Sequence, residues 1–207
     1  MLSRIRDDLA ALGVHHHRFT SERALHSAGR LDAALTELRD ADLAYRGTLP
    51  PPKDADPATW VAEEQLLFRS TAYGDDCDRT LVKADGGATD FAGEVAYHRD
   101  KLARGYDRLI GVMGVDHAGY VTRLQAVVDA LSAGRVALEM PLVGLVNLLR
   151  GGEPVKMSKR AGEFVSLREV IEEVGADAVR FIMLTRKAET PLDFDLAEVK
   201  RQAKDNP

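Results

Sequence analysis

Residues 151–167 read GGEPVKMSKRAGEFVSL, with Lys156, Lys159 and Arg160 crowded beside Met157 and Ser158. Cations this close cannot neutralise one another. They either face water, as lysines usually do, or wait for an anion. Gly151, Gly152 and Gly162 flank them, giving a segment able to close on a ligand, and two ammonium groups three residues apart can reach one polyphosphate. Such a loop would neutralise charge that builds as a phosphorus centre becomes crowded. A second pair, Asp116-His117, follows the apolar run RLIGVMGV at 108–115. At a strand end the pair can meet a ligand; equally, Asp116 can cap the next helix and His117 can be a loop histidine.

Charge and composition narrow the setting of these residues. The net charge of −5 excludes a protein coated in basic nucleic-acid-binding surface. A local patch can still act alone, because salt screens charges beyond about 10 Å. Two arginines and two lysines face only Glu153 between residues 150 and 160, whereas 54–64 carries Asp54, Asp56, Glu63 and Glu64 with no cation. Any polyanion should therefore meet the later segment. The 207 residues, 45% hydrophobic, suffice for one good core and a smaller satellite. No apolar run approaches the roughly 20 residues of a membrane helix, and no leader pattern opens the chain, so a cytoplasmic setting without a membrane partner is expected. Cys77 is the single cysteine, which rules out an internal disulfide or a zinc-finger site; it reads as a small side chain, and no protein metal site is expected.

The elements that must position these groups follow from periodicity. Leu2, Ile5, Leu9 and Leu12 predict a helix ending at Gly13. Ser27 is placed to cap a second, striped by Leu31, Leu35 and Leu38 and running to about Tyr45, before Gly47 and Pro50-Pro51-Pro52 end regular structure. From there to Trp60 a loop is expected, then a short mixed segment at 64–70, with Asp75-Asp76 and Asp85-Gly86-Gly87 turning short strands. The run 108–115 predicts a strand buried on both faces of a parallel sheet. A helix over about 119–134 carries Val121, Leu124, Val128 and Leu131, giving half a βαβ unit, and 137–149 supplies the next strand. Ser166 and Glu169 form a capping-box pattern for a helix over 167–174, stopped by Gly175. Two further helices are expected, one over 177–185 and one capped by Asp195 with Glu198 three residues on, reaching almost to Pro207. Alternating strands and helices give an α/β fold.

Lys156-Met157-Ser158-Lys159 resembles the signature loop of class I aminoacyl-tRNA synthetases, and GGEPVKMSKRAGEFVSLREVIEEVGADAVRF resembles the arginyl-tRNA synthetases in particular. EQLLFRST (64–71), AYHRDKLARGYDRLI (96–110), GVDHAGY (114–120), LVNLLRGGEPVKMSKR (145–160), FIMLTRKAETPLDFDL (181–196) and KDNP (204–207) read like that family in the same order. The resemblance covers essentially the whole chain. It implies a partial Rossmann-type parallel sheet followed by a helical region bearing the KMSK loop. Residues 1–63 would come from an insertion region of the catalytic domain, 64–150 from its second half, and 151–207 from the loop and the helices after it.

The resemblance also implies ATP-dependent activation of L-arginine and transfer to tRNA(Arg). Lys156, Ser158 and Lys159 would stabilise departing pyrophosphate; Gly114, Asp116, His117 and Met157 would lie at the adenosine; Mg²⁺ would accompany ATP, held largely through phosphate oxygens and water. The family usually shows Y-F-A-A-D where residues 90–94 read DFAGE, which assigns Asp90 and Glu94 to the arginine pocket. Glu94 can pair with a guanidinium one methylene further out, but Asp90 supplies no ring. The second ATP signature, H-I-G-H or H-V-G-H, has no counterpart: His15-His16-His17 is followed by Arg18 without the glycine. The expectation is therefore a fragment or one subunit, completed by a partner chain carrying the first half of the catalytic domain, with the anticodon-binding domain absent. Alternatives are an inactive paralogue that binds nucleotide or tRNA, and an interaction module keeping only the fold.

Overall fold

The computed structural model describes residues 2–51, 59–157 and 164–201. In chain order its elements are α1 (Leu2–Ala11), α2 (Glu22–Ser27), α3 (Arg30–Asp40), β1 (Ala44–Gly47), β2 (Gln65–Phe68), β3 (Arg79–Val82), α4 (Asp90–Leu102), β4 (Arg108–Ile110), β5 (Met113–Gly114), α5 (Val121–Ser132), β6 (Ala137–Glu139), β7 (Leu142–Val143), β8 (Val146–Arg150), β9 (Glu153–Pro154), α6 (Leu167–Val174), α7 (Ala176–Met183), β10 (Leu192–Asp195) and α8 (Leu196–Lys200). They form two compact units: a larger one of Thr20–Val112 with Asp116–Pro141, and a smaller one of Met1–Phe19, Met113–Val115 and Leu142–Pro207.

In the larger unit, β2 is the middle strand of an antiparallel sheet ordered β1-β2-β3. Leu66, Leu67 and Phe68 are all buried there, because a central strand covered on both faces has no side left for water. Helix α3 presents Leu31, Ala34, Leu35 and Leu38 to the same core; burying each leucine is worth about 1.5–3 kcal/mol relative to exposure. Helix α4 starts where Thr89 Oγ1 accepts from the backbone N–H of Ala92 at 3.2 Å, and it buries Phe91, Ala92, Val95 and Ala96. Phe91 meets Phe68 with ring centres 6.2 Å apart. Strands β4 and β6 pair in parallel, joined by α5, whose Leu124, Val127 and Val128 are fully buried. This is the βαβ crossover the periodicity implied.

The smaller unit holds a second core of Val179, Leu192, Phe194 and Leu196, lined further by Leu12, Leu148, Val170 and Ile171. There β8 pairs in parallel with β10 and antiparallel with β9, and β5 pairs in parallel with β7. The capping box is present: Ser166 and Glu169 exchange hydrogen bonds across the first turn of α6, and α6 ends at Gly175, as the sequence predicts.

Three expectations need correction. Ser27 ends α2, capped by Ser21, and gives its hydroxyl proton to the Ala24 carbonyl. Gly29, left-handed at φ 65°, separates α2 from α3, which stops at Asp40, so Tyr45 lies in a strand. The run 108–115 is two short strands rather than one doubly buried strand. Only Leu109 is buried in β4, while Ile110 and Val112 are 61% and 66% exposed, because β4 and β5 pair with different partners, β6 and β7. Helix α8 covers five residues, and KDNP lies outside the described residues. Helix α4 and strand β10 were not expected at all.

Candidate functional site

Asp90, Gly93, Glu94 and Tyr97 fall at spacings of three and four on α4, so they share one face. With Thr20, Glu22 and Leu25 from the start of α2 they line a cleft of about 390 Å³ in the larger unit. Three carboxylates, from Glu22, Asp90 and Glu94, meet around it with one aromatic ring. A Cβ at position 93 would stand 3.3 Å from Glu22 Oε1, so glycine there leaves room for that carboxylate. Thr20 accepts from Arg104 Nη2 at 3.2 Å, and the same nitrogen donates to Asp100 at 2.7 Å, which fixes the rim.

The cleft's electrostatics are set by a ladder along α4. Glu94 is partly buried, and burial pushes its carboxyl above the ordinary glutamate range; the Lys101 ammonium pulls it down, Glu22 pushes it up and His117 pulls it down. His98 is 1% exposed, and burial, reinforced by the Lys101 charge, lowers its imidazole to about 4. A cleft with this excess of carboxylate attracts a cation. Planar, permanently charged guanidinium suits it best, because it pairs two-pronged with a carboxylate and stacks on a ring.

Gly114 closes β5 in the smaller unit. Asp116 and His117 lie in the 3₁₀ helix Val115–Tyr120 leading into α5, exposed, with His117 Nε2 3.5 Å from Asp116 Oδ2. Asp116 does not cap α5, whose N-cap is Tyr120 without a side-chain bond. Lys156 and Met157 follow β9 and are exposed, while Ser158 and Lys159 lie outside the described residues.

The approach to Lys156 is firmly built. Gly151 and Gly152 turn from β8 into β9 with φ of 61° and 84°, a left-handed conformation that glycine adopts freely. Their N–H groups donate to the Asp195 carboxylate at 2.9 and 2.6 Å, and the same carboxylate caps α8 by accepting from Ala197 and Glu198. These four amides hold Asp195 below the ordinary aspartate range, Gly152 contributing most. Arg150 pairs two-pronged with Glu173 at 2.7 and 2.8 Å, and Lys200 adds a third contact at 2.9 Å.

Glu22 and Tyr97 are cleft residues that sequence reasoning missed. Tyr97 carries a usable signal, three positions after Glu94 on one helix face. Glu22 carries none, since it reaches the cleft from about 70 residues away in sequence.

No protein-family model matches the chain. It is 59% identical over 210 residues to an arginine–tRNA ligase of Methylobacterium sp. (strain 4-46) and 57% identical over 207 residues to one of Paracoccus denitrificans (strain Pd 1222). Each match takes in the whole chain and 36% of the relative. A Campylobacter jejuni structure assigned as an arginyl-tRNA synthetase superposes over the whole chain and 41% of its own length, with a TM-score of 0.79 and 32% identity. A Mycobacterium tuberculosis methionyl-tRNA synthetase, in complex with methionyl-adenylate, matches 95% of the chain and 53% of its own length at a TM-score of 0.62 and 16% identity. That likeness concerns the fold, the α/β arrangement of class I synthetases with its parallel strand pairs. Along its whole length the chain therefore matches part of an arginyl-tRNA synthetase, spanning about 36% of the length of the curated relatives.

Proposed function

We propose that this chain is the part of an arginine–tRNA ligase that grips the arginine side chain and the phosphate end of ATP. The carboxylate-lined cleft on α4 is the observation that carries the proposal, in a chain whose relatives are named arginine–tRNA ligase. Glu94 is the principal partner of the guanidinium, with Glu22 and Asp90 adding negative charge and Tyr97 supplying the ring that Asp90 cannot. Burial alone disfavours an ionised Glu94. An entering cation reverses this by pairing with it, so arginine and the ionised carboxylate stabilise one another.

The reaction needs little covalent help. A carboxylate oxygen of arginine attacks the α-phosphorus of ATP, the bond to the bridging oxygen breaks, and pyrophosphate leaves; a terminal ribose hydroxyl of tRNA(Arg) then attacks the acyl carbon and AMP leaves. Lys156 and Lys159, with Ser158, place positive charge and donors where the pyrophosphate's charge grows. Gly114 lets the nucleotide approach a strand end, and Asp116, His117 and Met157 lie beside the adenosine. Mg²⁺ would accompany ATP, held largely through phosphate oxygens and water, and would offset charge on the phosphates.

Calorimetric titration of the chain with L-arginine and with L-citrulline, which has the same shape without the charge, tests the cleft. Arginine should bind and citrulline should not, and Glu94→Gln should weaken arginine at least about tenfold, the scale of one lost charge-assisted pair. Equal binding of the two amino acids refutes the assignment. A parallel titration with ATP and Mg²⁺ tests the loop, where Lys156→Ala and Lys159→Ala should each reduce affinity; indifference to both removes the loop from the site.

A further inference from the structure

One residue outside the cleft touches Tyr97 directly and reaches Glu94 through a histidine. Lys101 lies one turn beyond Tyr97 and two beyond Glu94 on α4. Its Nζ sits 4.1 Å above the centre of the Tyr97 ring, a cation–π distance, and 3.3 Å from Nε2 of His98. The other ring nitrogen, Nδ1, is 2.9 Å from the Glu94 carbonyl oxygen and 3.6 Å from Glu94 Oε2. An ammonium group can only donate. Nε2 must therefore present its lone pair to Lys101, and the single ring proton must sit on Nδ1, facing both Glu94 oxygens. The opposite tautomer would aim N–H at an ammonium and a lone pair at a carboxylate. His98 is buried, so no water can relieve that conflict.

Resting on the guanidinium reading of the cleft, we infer that Lys101 is a positioning residue for arginine: its ammonium clamps Tyr97 directly and, by fixing the tautomer of His98, orients Glu94. Lys101 never touches the ligand. It works by holding a wall and a carboxylate in the geometry a planar cation needs, and its charge also favours the ionised form of Glu94. The spacing E-x-x-Y-H-x-x-K at 94–101 is the sequence trace of the device, four side chains on one helix face at intervals of three and four.

The test uses the whole chain with ¹⁵N-labelled histidine, the His98 signals being identified by their loss in His98→Gln. The ring nitrogens should report the Nδ1–H tautomer, the reverse of the form that dominates for free histidine. Lys101→Met keeps the buried stem and removes the charge; it should weaken arginine about tenfold, leave Mg²⁺-ATP binding unchanged, and let His98 titrate at higher pH. Lys101→Arg retains both a cation for the ring and an N–H for Nε2, and should restore arginine binding to within about threefold, less than one neutral hydrogen bond is worth. An Nε2–H tautomer in the unaltered chain overturns the relay. Wild-type arginine affinity in Lys101→Met, with the fold intact by circular dichroism, overturns the positioning role. Failure of the unaltered chain to bind arginine at all overturns the cleft reading and the positioning role with it, while the tautomer still decides the relay.

Discussion

Stability below neutral pH should be governed by one buried histidine. His98 is 1% exposed, and burial together with Lys101 lowers its imidazole from 6.5 to about 4. The folded state therefore binds fewer protons than the unfolded state between those values. The stabilisation from neutral His98 is fully present above pH 6.5 and is lost as pH falls through 6.5 toward 4. A gap of about 2.5 pH units at about 1.4 kcal/mol per unit sets a limit of roughly 3 kcal/mol, of which about 2 kcal/mol is gone by pH 5. For a chain of this length, about 2 kcal/mol corresponds to a fall in melting temperature of about 4–8 °C. Glu94 titrates nearby with the opposite sign: its raised pKa gives stability at low pH that is lost as pH rises through the folded value. The assay is therefore a difference, with melting temperatures of the unaltered chain and His98→Gln compared between pH 4.5 and 7.5. Glutamine keeps an amide in the ring's place without titrating, so the unaltered chain should lose several degrees more than the variant on acidification. Parallel curves would refute a buried neutral His98.

Two further outcomes follow from close contacts in the smaller unit. A Cβ at Gly144 would lie 2.6 Å from the carbonyl carbon of Thr190 and 2.8 Å from the nitrogen of Pro191, backbone atoms that cannot swing aside; Gly144→Ala should cost about 1–3 kcal/mol in urea unfolding, and unchanged stability would show that the β7–β8 connection yields. Asp195→Ser keeps an oxygen to cap α8 but cannot reach both glycines, so hydrogen exchange should speed up at Gly151 and Gly152 while the α8 amides stay protected; equal change at both places would mean the carboxylate does not separately pin the turn.

Legibility in the sequence followed the range of the forces involved. Helix α6 was readable to the residue because its start and stop are local chemistry, a reciprocal Ser166–Glu169 cap and a glycine at 175. The parallel crossover was readable because α5 shows a helical stripe after an apolar run. Helix α4 escaped because its stripe is made partly of alanines and glycine and includes buried polar residues, His98 and Asp100, the latter paired with Arg104 just past the helix end, so hydrophobic period alone gives a weak signal. The run 108–115 misled because apolar continuity reports burial only when one sheet covers both faces, and here the run passes from one compact unit to the other.

The proposed binding groups divide in the same way, and the division bears on the departures at residues 90–94. The family pattern puts a ring where this chain has Asp90, and a residue-by-residue transfer leaves the pocket without one. Tyr97 stands on the same helix face two turns away and lines the same cleft, and the Lys101 ammonium lies 4.1 Å from its ring centre. Glu94 extends one methylene beyond the family's aspartate, and Gly93 makes the space in which Glu22 can approach. Each substitution changes a side chain's reach, and a neighbouring one alters the space or the ring beside it. If these changes act together, then Gly93→Ala with Glu94→Asp, which moves two positions toward the family pattern, should not improve arginine affinity while position 90 remains aspartate. Improvement by that double change alone would mean that the cleft positions act independently and that Tyr97 is not the replacement ring.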